Sequence, residues 1–276
     1  MKTDPRDAER LARLLAAGEL GFVRVPAVAE EQVRDLVRAR EDVRCDLNRA
    51  RPRLLHFLRR RRLGPPGAGK AWTQAHRSWL RGLAFADLAS RAAFADYLCA
   101  VDALVQRRDT LDGVLAEVAP ESPWAQAIER LRCFRGIDLL AAIGLCAEVG
   151  DFARFGRPTQ LSGFLGLVPC ERTSDEKRRQ GAITKAGPRH SRRLLVEAAK
   201  HAWRRPMVSE ELRRRQAGQD PRVCEVAWRA QRRLHAQWQK LVVGRGKPAN
   251  VASVACAREL AGLSGRPCSS TDPTSR

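Results

Sequence analysis

One long stretch without glycine, residues 30–61, limits this chain to a largely helical fold. Its apolar side chains recur at spacings of four and three, the repeat of a helix that packs lengthwise on another helix, with one arginine in the same register: Leu36, Arg40, Val43, Leu47, Ala50, Leu54 and Phe57. A second helical stretch, residues 85–118, has its stripe at Leu88, Ala92, Ala95, Val105, Leu111 and Leu115. We therefore predict a mainly α chain in which residues 29–119 form an antiparallel coiled-coil hairpin.

The connection between these helices contains a motif typical of nucleotide-binding proteins. Residues 64–70, GPPGAGK, match the G-x-x-x-x-G-K pattern of the phosphate-binding loop. That loop needs a Ser or Thr after the lysine to reach the metal ion, and Ala71 stands there instead. It also follows a buried strand, whereas four arginines, residues 59–62, come before this motif. We interpret the motif as a flexible turn and exclude a nucleotide hydrolase.

The charge balance indicates a polyanionic partner. The 276 residues include 51 Lys and Arg against 31 Asp and Glu, a net charge of +20. Such a chain binds nucleic acid more often than a membrane surface. Residues 1–20 carry charges throughout and no apolar run approaches the length of a membrane span. The eight cysteines show neither CxxC nor zinc-site spacing, so we expect a cytoplasmic protein with reduced thiols and no membrane partner.

A separate, mostly helical C-terminal domain is predicted over residues 120–262. Pro120 and Pro123 mark the linker before it. The turn at Gly136 resembles a helix–hairpin–helix unit, which offers backbone N–H groups to a phosphate, but it fits a plain packing unit equally well. The remaining predictions are helices over residues 208–217, 220–241 and 248–261, and a disordered Ser-, Pro- and Thr-rich tail over residues 263–276.

One stretch, residues 161–199, has the composition of a phosphate-binding surface. It is apolar up to Pro169, continues into a loop crowded with Arg and Lys, and contains a short strand-like piece, residues 182–184, before a helix that begins near Ser191. A loop with this much positive charge is suited to contacting phosphates rather than to packing in a core. We predict nucleic-acid contacts from Arg172, Lys177, Arg178, Arg179, Thr184, Lys185, Arg189, Arg192 and Arg193.

The same stretch carries a series of ordered motifs: G-L-V-P at 166–169, a serine five residues after the proline, I-T-K-x-G at 183–187 and R-R-L-L-V-E-A-A at 192–199. Together with K-T-D-P-R-D-A-E-R-L-A-R-L-L at 2–15, they resemble the DEDD/serine insertion-sequence transposases of the IS110/IS116/IS902 group, which are of the RNA-guided recombinase type. The resemblance extends from residue 2 to about residue 260. It implies a C-terminal transposase domain, self-association through the coiled coil, and DNA element ends, target DNA and a guide RNA as partners.

The resemblance also assigns a role to Ser174. In that group, the serine at this position attacks DNA and forms a transient protein–DNA linkage, and the basic side chains around Ser174 would stabilise the charge that develops on the phosphodiester. A structural interpretation stays open, because Thr173 and Glu176 fit a capping box that leaves Ser174 in the first turn of a helix. The sequence also departs from the group here, since Asp175 and Glu176 follow the serine where glycines are usual.

Two carboxylates, Asp4 and Asp7, lie one turn apart at the start of a predicted helix over residues 5–17. From the residues alone they fit an N-cap before Pro5 and a favourable charge near the helix N-terminus, or half of a Mg²⁺ site. The resemblance favours the metal site, because K-x-D-x-x-D-A carries the last two acids of the DEDD tetrad. Residues 1–28 would then be the remnant of an RuvC-like α/β domain whose other acids lie upstream. We therefore expect an amino-terminally truncated chain with an incomplete Mg²⁺ site and impaired activity.

Two functions remain open on this basis. The first is a transposase that acts on DNA phosphodiesters through a serine nucleophile. The second is a non-catalytic remnant of a transposase that binds DNA or RNA and cuts neither. A covalent protein–DNA adduct distinguishes them, because only the first function forms one.

Overall fold

The computed structural model describes residues 4–20, 24–65, 67, 70–171 and 180–269, without the side chains of residues 180 and 266–269. Within these residues the chain is mostly helical, as predicted. The helices are α1 Asp4–Ala16, α2 Val28–Arg60, α3 Gln74–Arg81, α4 Leu88–Val118, α5 Ala125–Arg132, α6 Leu139–Val149, α7 Pro158–Phe164, α8 Arg189–Ala199, α9 Glu210–Gln216, α10 Pro221–Val242 and α11 Ala249–Ser269. Short 3₁₀ turns cover Ala119–Glu121 and Lys200–Trp203, and the strands are β1 Pro169–Glu171 and β2 Gln180–Ile183.

The two long helices α2 and α4 lie side by side and run in opposite directions. Arg40 in the first half of α2 donates two hydrogen bonds to Asp112 near the end of α4, at 2.6 and 3.2 Å. Arg61, just after α2, donates to Ser90 near the start of α4 at 2.9 Å. The seam predicted along α2 is buried from Val43 to Phe57. Arg40 can occupy a position in that seam because Asp112 compensates its charge.

The buried face of α4 differs from the predicted one. Three residues of the predicted stripe are exposed: Leu88, Ala92 and Ala95. The helix instead turns its aromatic residues inward, because Phe94 and Tyr97 pack on Phe57 with ring centroids 6.2 and 5.6 Å away. Aromatic rings bury far more apolar surface than alanines, so they decide the rotation of the helix.

The glycine-rich motif at residues 64–70 follows a helix in the structure. It connects α2 to α3, and residues 66, 68 and 69 of it lie outside the described part of the chain. A phosphate-binding loop joins a strand to a helix. Because a helix rather than a strand precedes the motif, the structure agrees with the interpretation of the motif as a turn.

The C-terminal helices are organised around α6. All residues from Ala141 to Val149 are buried except Glu148, which is half-buried. Helix α6 packs between α5 and α8 and also against α2 and α4, while α11 packs on α7, α8 and α10. One apolar core continues from Val33 and Val37 of α2 into these helices.

The chain is buried on both sides of the linker that the two prolines predicted, at Ala119 and Trp124, while Pro120, Glu121 and Pro123 are exposed. Ser122 and Trp124 are buried, and the Ser122 hydroxyl donates to the Ala119 carbonyl at 2.8 Å. Because the apolar core passes through this region, the hairpin and the C-terminal helices pack as one body here. The prolines mark a 3₁₀ turn rather than a separation.

The turn at Gly136 is a packing unit. With φ +85° at Gly136, a Cβ there would lie 2.6 Å from the carbonyl oxygen of Ala198 in α8. The carbonyl groups of the turn are also occupied, because Arg215 donates to Ile137 O at 2.6 Å and Gln216 donates to Cys133 O at 3.0 Å. The glycine is therefore needed for the contact with α8.

Helix α11 extends into the predicted tail. It continues to Ser269, so residues 263–269 are helical rather than disordered, and residues 270–276 lie outside the described part. Gly262 and Gly265 allow this extension, because a Cβ at either position would lie 2.8 Å from a side-chain atom of Pro158 or Leu161 in α7. None of the described helices has both the length and the apolarity of a membrane span.

Candidate functional site

Two glycines of the ordered motifs bring the two ends of the basic loop together. Gly166 has φ +62°, and a Cβ there would lie 2.1 Å from the backbone oxygen of Ala186. Gly187 has φ +72°, and a Cβ there would lie 1.9 Å from the backbone oxygen of Phe164. Only glycine combines this left-handed backbone with so close an approach. The chain before β1 and the chain after β2 therefore cross in direct backbone contact, which we call the glycine crossing.

Hydrogen bonds hold the glycine crossing from both sides. The amide of Thr184 donates to Val168 O at 2.9 Å, and the amide of Lys185 donates to Gly166 O at 3.1 Å. The guanidinium of Arg192 donates to Leu165 O and Ala186 O, both at 2.9 Å. Arg192 thus braces the two crossing segments, a structural role that differs from the phosphate contact predicted for it.

The strands β1 and β2 lead from the glycine crossing to the basic loop. They pair antiparallel, with Pro169 opposite Ile183 and Glu171 opposite Gln180, and one extra residue on β2 interrupts the register. Residues 172–179 connect the paired ends and lie outside the described residues. Five predicted site residues fall in this segment: Arg172, Ser174, Lys177, Arg178 and Arg179. The capping box proposed around Thr173 falls there as well.

Three other predicted contact residues lie exposed on the C-terminal side of the loop. Thr184 and Lys185 follow β2 directly, and Arg189 is the first residue of α8. Lys185 has a left-handed φ of +57°, and its exposed side chain is free of packing contacts that would fix it in a core. The first turn of α8 has no side-chain cap, so its N–H groups favour negative charge nearby. This short segment is well suited to an anion.

Arg193 lies one helical turn after Arg189 in α8, between two carboxylates. It donates to Glu41 of α2 and to Glu197 of its own helix, both at 2.8 Å. Its charge is therefore compensated within the protein. Arg193 joins α8 to the hairpin, which differs from the nucleic-acid contact predicted for it.

An ionic cluster surrounds this contact between α2, α6 and α8. Arg44 donates to both oxygens of Glu41 at 2.7 Å, and His190 lies 3.6 Å from Glu41 and 3.8 Å from Glu148 of α6. Burial by itself would raise the pKa of Glu41, but Arg44, His190 and Arg193 outweigh it and lower that pKa below its usual value of 4.5. The neighbouring His190 likewise lowers the pKa of Glu148. Sequence reasoning missed this cluster, because Glu41 and Arg193 are 152 residues apart.

The cluster predicts a pH-dependent loss of stability on replacement of Glu41. We expect Glu41→Gln to lower the free energy of unfolding by about 2 kcal/mol at neutral pH, since it leaves Arg193 and Arg44 partly buried without their carboxylate. Because the pKa of Glu41 is lowered in the folded state, its contribution is present above the ordinary carboxyl pKa and is lost as the pH falls below it. Urea unfolding at several pH values should therefore show the two proteins converging in acid.

A matched control is Glu31→Gln on the same helix. Glu31 pairs with Arg34 and Arg38, but its side chain is 43% exposed, against 18% for Glu41. An exposed pair of this kind contributes up to about 1 kcal/mol. Equal losses in the two variants, or a difference from wild type that does not change with pH, would contradict the role given to the cluster.

The predicted metal ligands lie on α1, apart from the glycine crossing. Asp4 is exposed and Asp7 half-buried, and no residue of α1 is buried. Among the described residues no group of three or more His, Cys, Asp or Glu side chains is arranged to hold a metal ion. Mg²⁺ is commonly held by one or two carboxylates together with water and substrate phosphate oxygens. Asp4 and Asp7 are the two acids of the predicted incomplete Mg²⁺ site, which stays a prediction.

A mostly helical body that presents a basic loop on a rigid two-stranded base is compatible with a protein that handles nucleic-acid phosphates. Comparison with known proteins shows the family to which the chain belongs. The family described as "Transposase IS116/IS110/IS902 family" matches residues 128–214, from α5 to α9, and this range includes the glycine crossing and the loop.

Two relatives extend the similarity over most of the chain. The y4qE protein of Sinorhizobium fredii, a candidate transposase by its name, is 38% identical over 263 residues, which are 95% of this chain and 64% of that protein. The transposase for insertion sequence element IS1533 of Leptospira borgpetersenii is 33% identical over 257 residues, which are 90% of this chain and 72% of that protein. The chain belongs to the IS116/IS110/IS902 transposase family, and it spans about two thirds of the length of these relatives.

Proposed function

We propose that this chain breaks and joins DNA strands in transposition, with Ser174 as the nucleophile. Membership in a transposase family carries the proposal, because the matched range, residues 128–214, contains the loop to which Ser174 belongs. The net charge of +20 supports a polyanionic substrate. The DNA substrates are element ends and a target, and the guide RNA implied by the resemblance is part of the same proposal.

In the proposed reaction, the hydroxyl oxygen of Ser174 attacks the phosphorus of a phosphodiester. A bond between phosphorus and the serine oxygen forms while the bond to one deoxyribose oxygen breaks. The serine proton passes to water, and the released deoxyribose oxygen takes up a proton. A deoxyribose hydroxyl of another strand then attacks the same phosphorus and displaces the serine oxygen, which regains its proton. The sequence of steps is balanced and needs neither an oxidant nor an energy source.

The surroundings of the loop support this role in two ways. The paired strands β1 and β2, joined beyond them by the glycine crossing, hold Glu171 and Gln180 together on either side of residues 172–179, and a nucleophile on a fixed support loses less entropy when it reacts. Lys185 and Arg189 place positive charge beside the loop, where negative charge develops on the attacked phosphate.

The proposal predicts that nucleic-acid binding depends strongly on salt. If about six phosphates are contacted, the logarithm of the binding constant falls with the logarithm of the salt concentration at a slope of roughly −5. Neutralising Arg178, Arg179 and Lys185 together as glutamines should flatten that slope by about two to three, close to one for each lost phosphate contact. Fluorescence anisotropy with labelled DNA and labelled RNA over a salt series measures the slope.

Three exposed arginines elsewhere provide a control with the same change of net charge. Arg13, Arg214 and Arg229 each pair with a glutamate one turn away on their own helix, α1, α9 and α10 respectively. Their replacement by glutamine should leave the slope near the wild-type value. Equal flattening in both triple variants would mean that the basic loop is not the binding surface.

Self-association through the hairpin is part of the proposal, but with a different contact surface from the predicted seam. Leu47 and Leu54, at the centre of the predicted seam, are buried between α2 and α4 of one chain. A contact between two copies would therefore use the outward faces of these helices, where Leu88 and Val114 are exposed.

A further inference from the structure

The far end of the helical hairpin is strongly basic. The 40 residues from Leu47 to Ala86 contain no Asp or Glu and ten basic residues: Arg49, Arg51, Arg53, Arg59, Arg60, Arg61, Arg62, Lys70, Arg77 and Arg81. They form the second half of α2, the connection and α3. Some of the ten pair with acids outside this stretch, as Arg49 does with Asp46 and Arg81 with Asp102. The excess of positive charge nevertheless remains large at this end of the molecule.

Arg51 combines partial burial with a charge that no carboxylate compensates among the described residues. It is half-buried, and its Nε atom is buried without a hydrogen-bond partner. Among the described residues, no carboxylate pairs with Arg51 or with the neighbouring, half-buried Arg77. Arg108 of α4 is close by and pairs with Asp109, the next residue in its own helix. Burial, and then the charges of Arg108 and Arg77, lower the pKa of Arg51. An anion bound beside Arg51 and Arg108, which line the same groove, would offset the repulsion that Arg51 experiences from its basic neighbours.

Trp72 fixes the position of Arg51. The guanidinium carbon of Arg51 lies 5.0 Å from the centroid of the indole ring, a cation–π contact. Trp72 itself has a φ of +71°, in the left-handed region that a bulky side chain rarely adopts. Strain of this kind persists where the surroundings impose it and is concentrated at functional sites. The strained turn holds one face of Arg51 and leaves its Nε without a protein partner.

Arg51 and Arg108 also line an open groove that leads away from the hairpin end. The groove has a volume of about 580 Å³ and runs between α2 and the C-terminal helices, where Asn48, Arg44 and Arg40 line it on the hairpin side. At its other end it reaches His190 and Arg193 of α8, the helix that begins beside the basic loop. The groove therefore links the first two turns of α8 to Arg51 and Arg108, and Asp138 and Glu197 also line it.

We propose that Arg51, Arg77 and Arg108 form a second phosphate-binding site, at the far end of the hairpin, for the phosphodiester backbone of a nucleic acid. The inference relies on the proposed function for its ligand class and on no part of the Ser174 chemistry. Guanidinium groups suit this ligand because their planar donors match phosphate oxygens in pairs. Such a site reads no sequence, and it sets the path of the strand over the protein.

The test compares Arg51→Gln/Arg77→Gln in the full chain with Arg214→Gln/Arg229→Gln, which removes the same charge from α9 and α10. Labelled duplex DNA and labelled single-stranded RNA are titrated by anisotropy between about 50 and 200 mM salt. We expect the first variant to flatten the salt slope by about 1.8 on the duplex and about 1.4 on the single strand, the values for two lost phosphate contacts. We expect the control to keep the wild-type slope. Each change is divided by the value for one contact, about 0.9 for duplex and about 0.7 for single strand, and the probe that loses two contacts is the strand type that occupies the site.

A second measurement uses the wild-type protein and does not depend on how the variants fold. Phenylglyoxal modifies accessible guanidinium groups, and peptide mass spectrometry locates the modified residues. Bound nucleic acid should protect Arg51 and Arg77 and leave Arg214 reactive, whereas inorganic phosphate at the same phosphate concentration should protect none of them. Equal protection of Arg51 by inorganic phosphate would overturn the inference. So would a salt slope of the Arg51→Gln/Arg77→Gln variant equal to that of the wild type, together with an Arg51 that bound nucleic acid does not protect in the wild-type protein. Absence of any binding by the wild-type protein would instead refute the proposed function.

Discussion

Replacement of Ser174 by alanine is expected to abolish the covalent protein–DNA adduct while DNA binding persists. The hydroxyl oxygen is the atom that bonds to phosphorus in the proposed reaction, and alanine offers no replacement for it. Loss of a nucleophile lowers the rate by about 10³-fold or more, because the remaining groups can only bind the substrate. Incubation with labelled element-end DNA, followed by denaturing electrophoresis, detects the adduct as a band that a protease removes.

The neighbouring hydroxyl provides the matched control. Thr173→Ala should leave adduct formation within a few-fold of wild type if Ser174 is the nucleophile. The capping-box interpretation predicts the opposite pattern, in which Thr173→Ala costs about 1 kcal/mol of stability and Ser174→Ala has little effect. An adduct that forms with Ser174→Ala would exclude this serine. A wild-type protein that binds DNA under all conditions tried and never forms an adduct would favour the binding-only function.

Replacement of Gly187 by alanine is expected to cause the largest loss of stability among single methyl additions at the site. The new Cβ would lie 1.9 Å from Phe164 O, a backbone atom that can yield only if the glycine crossing separates. Left-handed strain adds about 1 kcal/mol and the clash adds more, so we expect a total of about 3 kcal/mol or more. Denaturant unfolding measures the loss of stability. Adduct formation should also fall, because the glycine crossing no longer supports the loop.

Gly218 separates the two causes of this loss. It has a similar left-handed φ, +75°, and no atom lies within 4 Å of a Cβ built there. Gly218→Ala should therefore cost only the backbone strain, about 1 kcal/mol. Equal losses at the two positions would show that the close approach at Gly187 contributes nothing. Normal adduct formation by a folded Gly187→Ala variant would show that the crossing does not position the loop.

Much of the local structure could be predicted from the sequence, because local patterns determine it. The spacing of apolar residues along α2 predicted a long packed helix, and its seam from Val43 to Phe57 is buried. The ordered motif I-T-K-x-G ends on Gly187, which adopts a left-handed φ that favours glycine. The stripe on α4 was wrong at Leu88, Ala92 and Ala95, although Leu115 is buried as predicted. Spacing alone does not reveal that Phe94 and Tyr97 would take the interior space instead of the alanines.

The candidate site was predicted only in part, for a similar reason. Positive charge along residues 172–193 indicated phosphate contacts. The structure leaves Thr184, Lys185 and Arg189 exposed, so these three residues are accessible for that role. Charge alone does not show whether an arginine already has an acid partner. Arg192 and Arg193 are engaged within the protein, one by backbone carbonyls and one by Glu41 and Glu197.

The sequence by itself determined that this chain is mostly helical, strongly basic and a member of a transposase family, since composition, periodicity and ordered motifs are all properties of the chain as written. Only the tertiary structure decided that one apolar core includes both Ala119 and Trp124, that α11 continues to Ser269, and that Glu41 neutralises Arg193. These outcomes depend on which helix surfaces pack against each other. Burial raises the free-energy cost of an unpaired charge and limits the space available to a methyl group. Residues far away along the chain determine which side chains are buried.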